Sequence, residues 1–471
     1  MSPRFPGLAL ALVLAAACGS EKPRPGYAPR HLILVTVSGL RADHTSFHLY
    51  PRPTTWLDFD GGQRALGKAL SLDDLAREGV NFARAYSPSG DTNAALASLF
   101  TGRSPLETGV LDGTQSLPSD VPTMAEAFSA AGFETVAFVS SPEAQLSSAD
   151  GLSAGLERGF GRFFLGGSDV QALGEAVTWV TKRDWGTGQS TFAWVHLEGP
   201  TFPFEPGSFP GPDGPVDYAT LFGDPAYAGP ADGGAAFRES AADLSPEDAQ
   251  RIEALYDGEV ALANRALTYF LDYFLYVGQQ SALWRESVFA FAGLHGVSLP
   301  SRGPHPDLRS GWGRTDTLGE GVHAVPLILR HPDSLTGSRV LGETVELVDL
   351  APTLFDWFEL AQPASASGRS LLAVTDSYRP RTFPPGPAVA IRADGSWSLR
   401  TEKHRLRLLA DGQQKLTLFD LERDPAERED LAPSHPELVA DLLEAFDRYL
   451  AAHPPHPSLL DRGFQVARPV K

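Results

Sequence analysis

The chain has 471 residues, with 39 lysines and arginines against 58 aspartates and glutamates and a formal net charge of −19. At 42% hydrophobic, 10% aromatic and 21% charged residues it has the composition of a packed protein, which excludes a disordered or collagen-like chain, and so acidic a surface argues against nucleic acid as a partner. The single cysteine excludes an internal disulfide framework and a cysteine-based zinc cluster.

That cysteine, Cys18, ends the apolar run 8–17 (LALALVLAAA), which Arg4 precedes. The pattern reads as the charged and apolar regions of a signal peptide, and the run is shorter than the roughly 17 residues a spanning helix needs. Ala15-Ala16-Ala17-Cys18 resembles a bacterial lipobox, which implies a lipid anchor on Cys18 and a place in the cell envelope. Gly19 and Ser20 follow where an aspartate would imply inner-membrane retention, so the resemblance points to the outer membrane. Residues 1–18 are thus expected to be a lipoprotein signal peptide, and 19–30 (GSEKPRPGYAPR) a polar linker.

From His31 buried strands alternate with helices. His31–Val37 (HLILVTV), 133–140 (FETVAFVS), Phe192–Leu197 and Ser287–Gly293 are apolar runs of strand length. Thr123-Met-Ala-Glu126 is a capping box whose helix Gly132 closes, and Ser245-Pro246 opens a long amphipathic helix toward Leu271. Continuous apolar strands between capped helices predict an α/β fold, a mostly parallel sheet with helices on both faces, and place ligands at the C-terminal strand ends. Residues 203–234, rich in Gly and Pro, read as a lid loop with no core of its own. After about Pro380 the grammar changes to short strands at 388–392, 396–401 and within 404–420, then a helix from about His435 to His453. The expected division is an α/β domain at 31–379 and a C-terminal α+β subdomain at 380–471, with a small antiparallel sheet and a helix.

Several segments, in order, carry a resemblance: 36–44 (TVSGLRADH), 73–105 (DDLAREGVNFARAYSPSGDTNAALASLFTGRSP), 290–298 (AFAGLHGVS), 323–332 (HAVPLILRHP), 346–357 (ELVDLAPTLFDW) and 418–432 (LFDLERDPAEREDLA). Together they resemble the sulfatase family of the alkaline phosphatase superfamily. The resemblance implies the alkaline-phosphatase-like fold and an ester hydrolase in which carboxylates hold a divalent cation such as Ca, Mg, Mn or Zn and an activated formylglycine, serine or threonine attacks. Thr92 falls at the nucleophile position. Thr92-Asn-Ala-Ala-Leu96 lacks the cysteine, proline and arginine of a formylglycine sequence, which excludes that maturation.

The ligand positions that the resemblance implies are degenerate. Ser38 stands for the first aspartate, Leu294 for the aspartate before His295, Thr201 for the histidine of a D-P-H-x-P-Y segment, and Arg314 for the histidine of a downstream G-H-G. These losses predict a chain that holds no metal or other cofactor. Arg314 adds a planar cation suited to sulfate or phosphate, unless it points to solvent or to Asp316. Thr92 also reads as a helix cap, His295 as a satisfied buried imidazole and Asp43 as a salt-bridge residue. Gly151-Leu-Ser-Ala-Gly155 matches a serine-hydrolase elbow but lacks the preceding strand that motif requires.

Two functional readings follow, beside a purely structural role in the envelope that the sequence does not separate from the first. The first is a sulfatase-like envelope lipoprotein that has lost ester hydrolysis, a pseudoenzyme binding a sulfated or phosphorylated glycan, or a partner protein through the loop 203–234. The second is an active sulfuric or phosphoric ester hydrolase using Thr92 and His295, with a metal site rebuilt from Asp43, Asp91 or Asp316.

Overall fold

A computed structural model describes residues 29–56, 70–140, 155–211, 214–240, 244–300, 312–332, 338–363, 366–375, 383, 385–410 and 414–469. Cys18, the signal segment, most of the linker and 151–154 of the serine-elbow motif lie outside the described residues. Among the described residues fourteen strands run in chain order: β1 (His31–Val37), β2 (Val80–Tyr86), β3 (Glu134–Ser140), β4 (Arg162–Gly166), β5 (Thr191–Leu197), β6 (Ser208–Gly211), β7 (Gly214–Asp217), β8 (Ser287–Gly293), β9 (Leu327–Arg330), β10 (Arg339–Glu346), β11 (Ala388–Ile391), β12 (Trp397–Arg400), β13 (His404–Leu408) and β14 (Leu416–Asp420).

The main sheet has eight strands in the order β10-β2-β9-β8-β1-β5-β3-β4. It is parallel except for β9, which runs antiparallel to both β2 and β8. Because β9 lies beside β8 and runs the other way, the connection from Leu294 to Pro326 needs no crossover and begins and ends at the edge where β1 and β8 end. β1 and β8 are buried on both faces, so their side chains divide by parity. Leu32, Leu34, Val288 and Ala290 face a core that includes the helices Thr92–Thr101 and Leu350–Trp357. Ile33, Val35, Phe289 and Phe291 face the one built with helices Asp169–Lys182 and Pro246–Gln280. The long helix thus runs on past Leu271, because apolar positions such as Phe274 continue its buried face.

The small sheet β11-β12-β13-β14 is antiparallel and packs with helix Pro436–Ala452. Leu106 and Leu111 from the first half of the chain join its core. The segment 203–234 differs from the loop expected: β6 and β7 pair as a short hairpin, and Phe204, Tyr218 and Ala231 are buried, Phe204 and Ala231 in the main core. Aromatic residues spaced among the glycines and prolines anchor it. No helix among the described residues is long and apolar enough to cross a membrane.

Candidate functional site

The registers Val37↔Gly293 and Val37↔Leu197 bring three strands to one edge. Backbone bonds Ser38 N–H to Leu197 O (3.0 Å) and Leu294 N–H to Val37 O (2.8 Å) carry the ladder just beyond β1 and β8. The turns after β1 and β5 then meet closely. Gly39 (φ +71°) and Gly199 (φ +60°) are in the left-handed region, and a Cβ on Gly39 would come 2.5 Å from the carbonyl oxygen of Pro200.

Helix Thr92–Thr101 points its first residue at this edge. Its N-cap is Asp91, whose Oδ1 accepts from the N–H groups of Asn93 (2.9 Å) and Ala94 (3.1 Å) while Oδ2 accepts from Gly113 (3.0 Å). Thr92 therefore does not cap the helix. Its hydroxyl lies 2.9 Å from His295 Nε2 and 3.1 Å from Ser38 Oγ. Ser38 and His295 are buried, each 2% exposed, and Thr92 is half-buried.

Chemistry fixes the direction of this chain. The Gly296 carbonyl, 3.0 Å from His295 Nδ1, only accepts, so Nδ1 carries the proton. Burial lowers the pKa of His295 from 6.5 to about 4, the bond to the Gly296 carbonyl opposing it only in part. The ring is neutral near pH 7 and its Nε2 accepts from Thr92, whose oxygen is left to accept from Ser38.

The other expected residues stand as follows. Leu294 is fully buried in the core and offers no ligand atom. Thr201 hydrogen-bonds the Glu198 carboxyl, which burial and the nearby Asp169 push up to about 7. Arg314 does not present a free fork. Its Nε donates to Asp316 Oδ1 at 2.6 Å and its Nη2 pairs with Oδ2, so the anion-binding role expected of it is corrected to an ion pair with a neighbour two residues away. Asp43 is held by Arg41 Nε (2.9 Å) and Nη2 (3.0 Å). The carboxylates considered for a rebuilt metal site, Asp43, Asp91 and Asp316, are thus each engaged elsewhere.

Among the described residues, the position where the family's cation would sit offers two hydroxyls and one neutral imidazole, with no carboxylate to balance a divalent charge. These residues do not fit that ion. The broader expectation of no cofactor is nevertheless overturned. His44, Glu253 and Asp257 each bring a ligand-type atom within 4.8 Å of the others, a group that could hold a divalent cation. His44 Nδ1 is 2.7 Å from Asp257 Oδ1, the Tyr50 hydroxyl lies within hydrogen-bond reach of Glu253 (3.0 Å) and Asp257 (2.8 Å), and Arg52 pairs with Asp257. One imidazole and two carboxylates are a donor set for zinc or manganese, for which a cation would compete with Arg52. The sequence signal was available: Glu253 and Asp257 are four apart and share one face of the long helix.

Comparison with known proteins agrees with this architecture. The family model described as Sulfatase matches residues 30–360, and the one described as N-sulphoglucosamine sulphohydrolase, C-terminal, matches 311–450. A stretch of 68 residues is 43% identical to the ulvan-active sulfatase of Formosa agariphila, covering 14% of this chain and 13% of that relative's length. Among solved structures, the phosphonate monoester hydrolase of Silicibacter pomeroyi superposes with a TM-score of 0.66 at 18% identity, over 91% of this chain and 96% of that one. A 2-O GAG sulfatase does so at 0.66 and 19%, over 93% and 95%. The phosphonate monoester hydrolase of Agrobacterium radiobacter gives 0.66 and 18%, over 90% and 95%. At such identities these likenesses show the fold.

Proposed function

The chain belongs to the sulfatase family, and we propose that it is a bacterial envelope lipoprotein, anchored through Cys18 in the outer membrane, that has lost the family's cation-assisted ester hydrolysis at Thr92 and binds a glycan. One observation carries the loss. Ser38, Thr92 and His295 close into a neutral hydrogen-bonded chain where carboxylates should hold a cation, and Leu294 is part of the core. Glycan as the ligand class draws on the ulvan and GAG named for the sulfatases it resembles. It no longer draws on Arg314, whose charge Asp316 balances. An active enzyme with a rebuilt cation site at Thr92 is disfavoured by the engagement of Asp43, Asp91 and Asp316.

The test is turnover of 4-nitrophenyl sulfate and 4-nitrophenyl phosphate by the full chain with Ca²⁺, Mg²⁺, Mn²⁺ or Zn²⁺ supplied. No turnover above that of Thr92→Val is expected. Turnover that the Thr92→Val exchange removes would overturn the proposal.

A further inference from the structure

The neutral hydrogen-bonded chain at Thr92 gives this residue a different activation. Its hydroxyl proton is directed at His295 Nε2, 2.9 Å away, and the His295 ring is fixed in the accepting tautomer by the Gly296 carbonyl. The Thr92 oxygen is also the acceptor of the Ser38 hydroxyl, 3.1 Å away. Asp91 takes the capping duty at the helix N-terminus, so nothing in the helix occupies the Thr92 hydroxyl. A hydroxyl hydrogen-bonded to a neutral, oriented imidazole is the arrangement of a nucleophile with its general base.

The charge of the site selects the substrate class. Among the described residues its three polar side chains, Ser38, Thr92 and His295, are neutral, Arg314 is bound by Asp316, and the Asp91 carboxylate adjoins Thr92. A sulfate or phosphate monoester brings negative charge that these side chains do not balance. The carbonyl carbon of a carboxylic ester is uncharged and needs only a deprotonated hydroxyl. We propose that Thr92 is a nucleophile toward neutral carboxylic esters, such as an O-acyl group on a sugar, with His295 as its base.

In the first step a bond forms between Thr92 Oγ and the carbonyl carbon while the hydroxyl proton passes to His295 Nε2. The ester C–O bond then breaks, and the alcohol leaves with the proton from Nε2, which gives acyl-Thr92. In the second step water attacks the acyl carbon and its proton passes to Nε2. The bond to Thr92 Oγ breaks, the threonine recovers the proton, and the carboxylic acid is released. Ser38 supplies a hydroxyl donor to the nucleophilic oxygen in the resting state.

The experiment mixes the full chain, purified in detergent, with 4-nitrophenyl acetate, quenches with acid and maps the acetylated peptide by mass spectrometry. Acetyl on Thr92 is expected, together with its absence in Thr92→Val and a rate about 10²- to 10⁴-fold lower in His295→Gln. Acetyl only at other residues, or an unchanged rate in a folded His295→Gln variant, would overturn the proposal. Should His295→Gln fail to fold, Thr92→Ser decides. Acetyl on the replacement serine, absent from a Ser38→Ala, Thr92→Val pair, supports the assignment, and a folded Thr92→Ser chain without it refutes it.

Discussion

His295 keeps one tautomer because of a single backbone carbonyl, and Asp257 keeps three partners, His44, Tyr50 and Arg52, on two oxygens. These two residues separate two questions that the sequence merges. Any divalent cation that stays with the purified chain is expected to depend on Asp257 and not on Thr92. Plasma mass spectrometry should therefore find metal lost in Asp257→Asn and retained in Thr92→Val. The reverse pattern would mean that the Thr92 position holds a cation despite its neutral donors. Arg314 shows how local sequence misleads at this scale. A guanidinium in an apparent anion pocket is a strong signal in a string of letters, yet Asp316 two residues on reaches it first.

The helix Thr92–Thr101 is the element that presents the Thr92 hydroxyl, and Asp91 decides how. With one oxygen on two N–H groups of the first turn and the other on Gly113, Asp91 ties the helix start to the following loop. Asp91→Ala is expected to cost about 1–2 kcal/mol, the upper part of the range for a lost cap because a third bond goes with it. Urea unfolding measures this. Asn in place of Asp should recover much of the loss, since one side-chain oxygen still accepts. Some of the strands and helices were legible beforehand. HLILVTV became β1 with the boundaries the apolar run set, and the Thr123–Glu126 box opens helix Met124–Ala130 with both reciprocal bonds formed. What local pattern did not tell was direction. The run Leu327–Arg330 reads like its parallel neighbours, and its antiparallel course follows from where the preceding connection leaves it.

Across the whole molecule buried ionisable groups set a pH window for stability. Burial lowers His31 and His295 to about 4 and His196 and His323 to about 3, against an ordinary 6.5. Native imidazoles that refuse protons make the unfolded chain the better proton binder, so this stability is present above about 6.5 and is lost as pH falls toward 3–4. Burial raises Glu198 to about 7 and Glu259 and Glu346 to about 8, against 4.5. Their contribution has the opposite sign. It is present below about 4.5 and lost as pH rises through 7–8. Between 4.5 and 6.5 the two slopes oppose each other. Thermal midpoints measured from pH 3.5 to 9 are expected to show a broad maximum there and to fall on both sides. Glu346→Gln should flatten the alkaline limb, and an unchanged limb would remove Glu346 from the account.

Read as residues alone, the chain gave away its family, the strands that carry the site and the absence of carboxylates at Ser38 and Leu294. These are properties of residue identity and local periodicity, which survive without coordinates. The tertiary structure alone decided what the remaining groups do with one another. Ser38, Thr92 and His295 are separated along the chain by 54 and 203 residues, and His44 and Asp257 by 213. Hydrogen-bond partners at such distances are set by sheet register and by which connections stay at one edge. The direction of a proton along Ser38, Thr92 and His295 then follows from a carbonyl that can only accept.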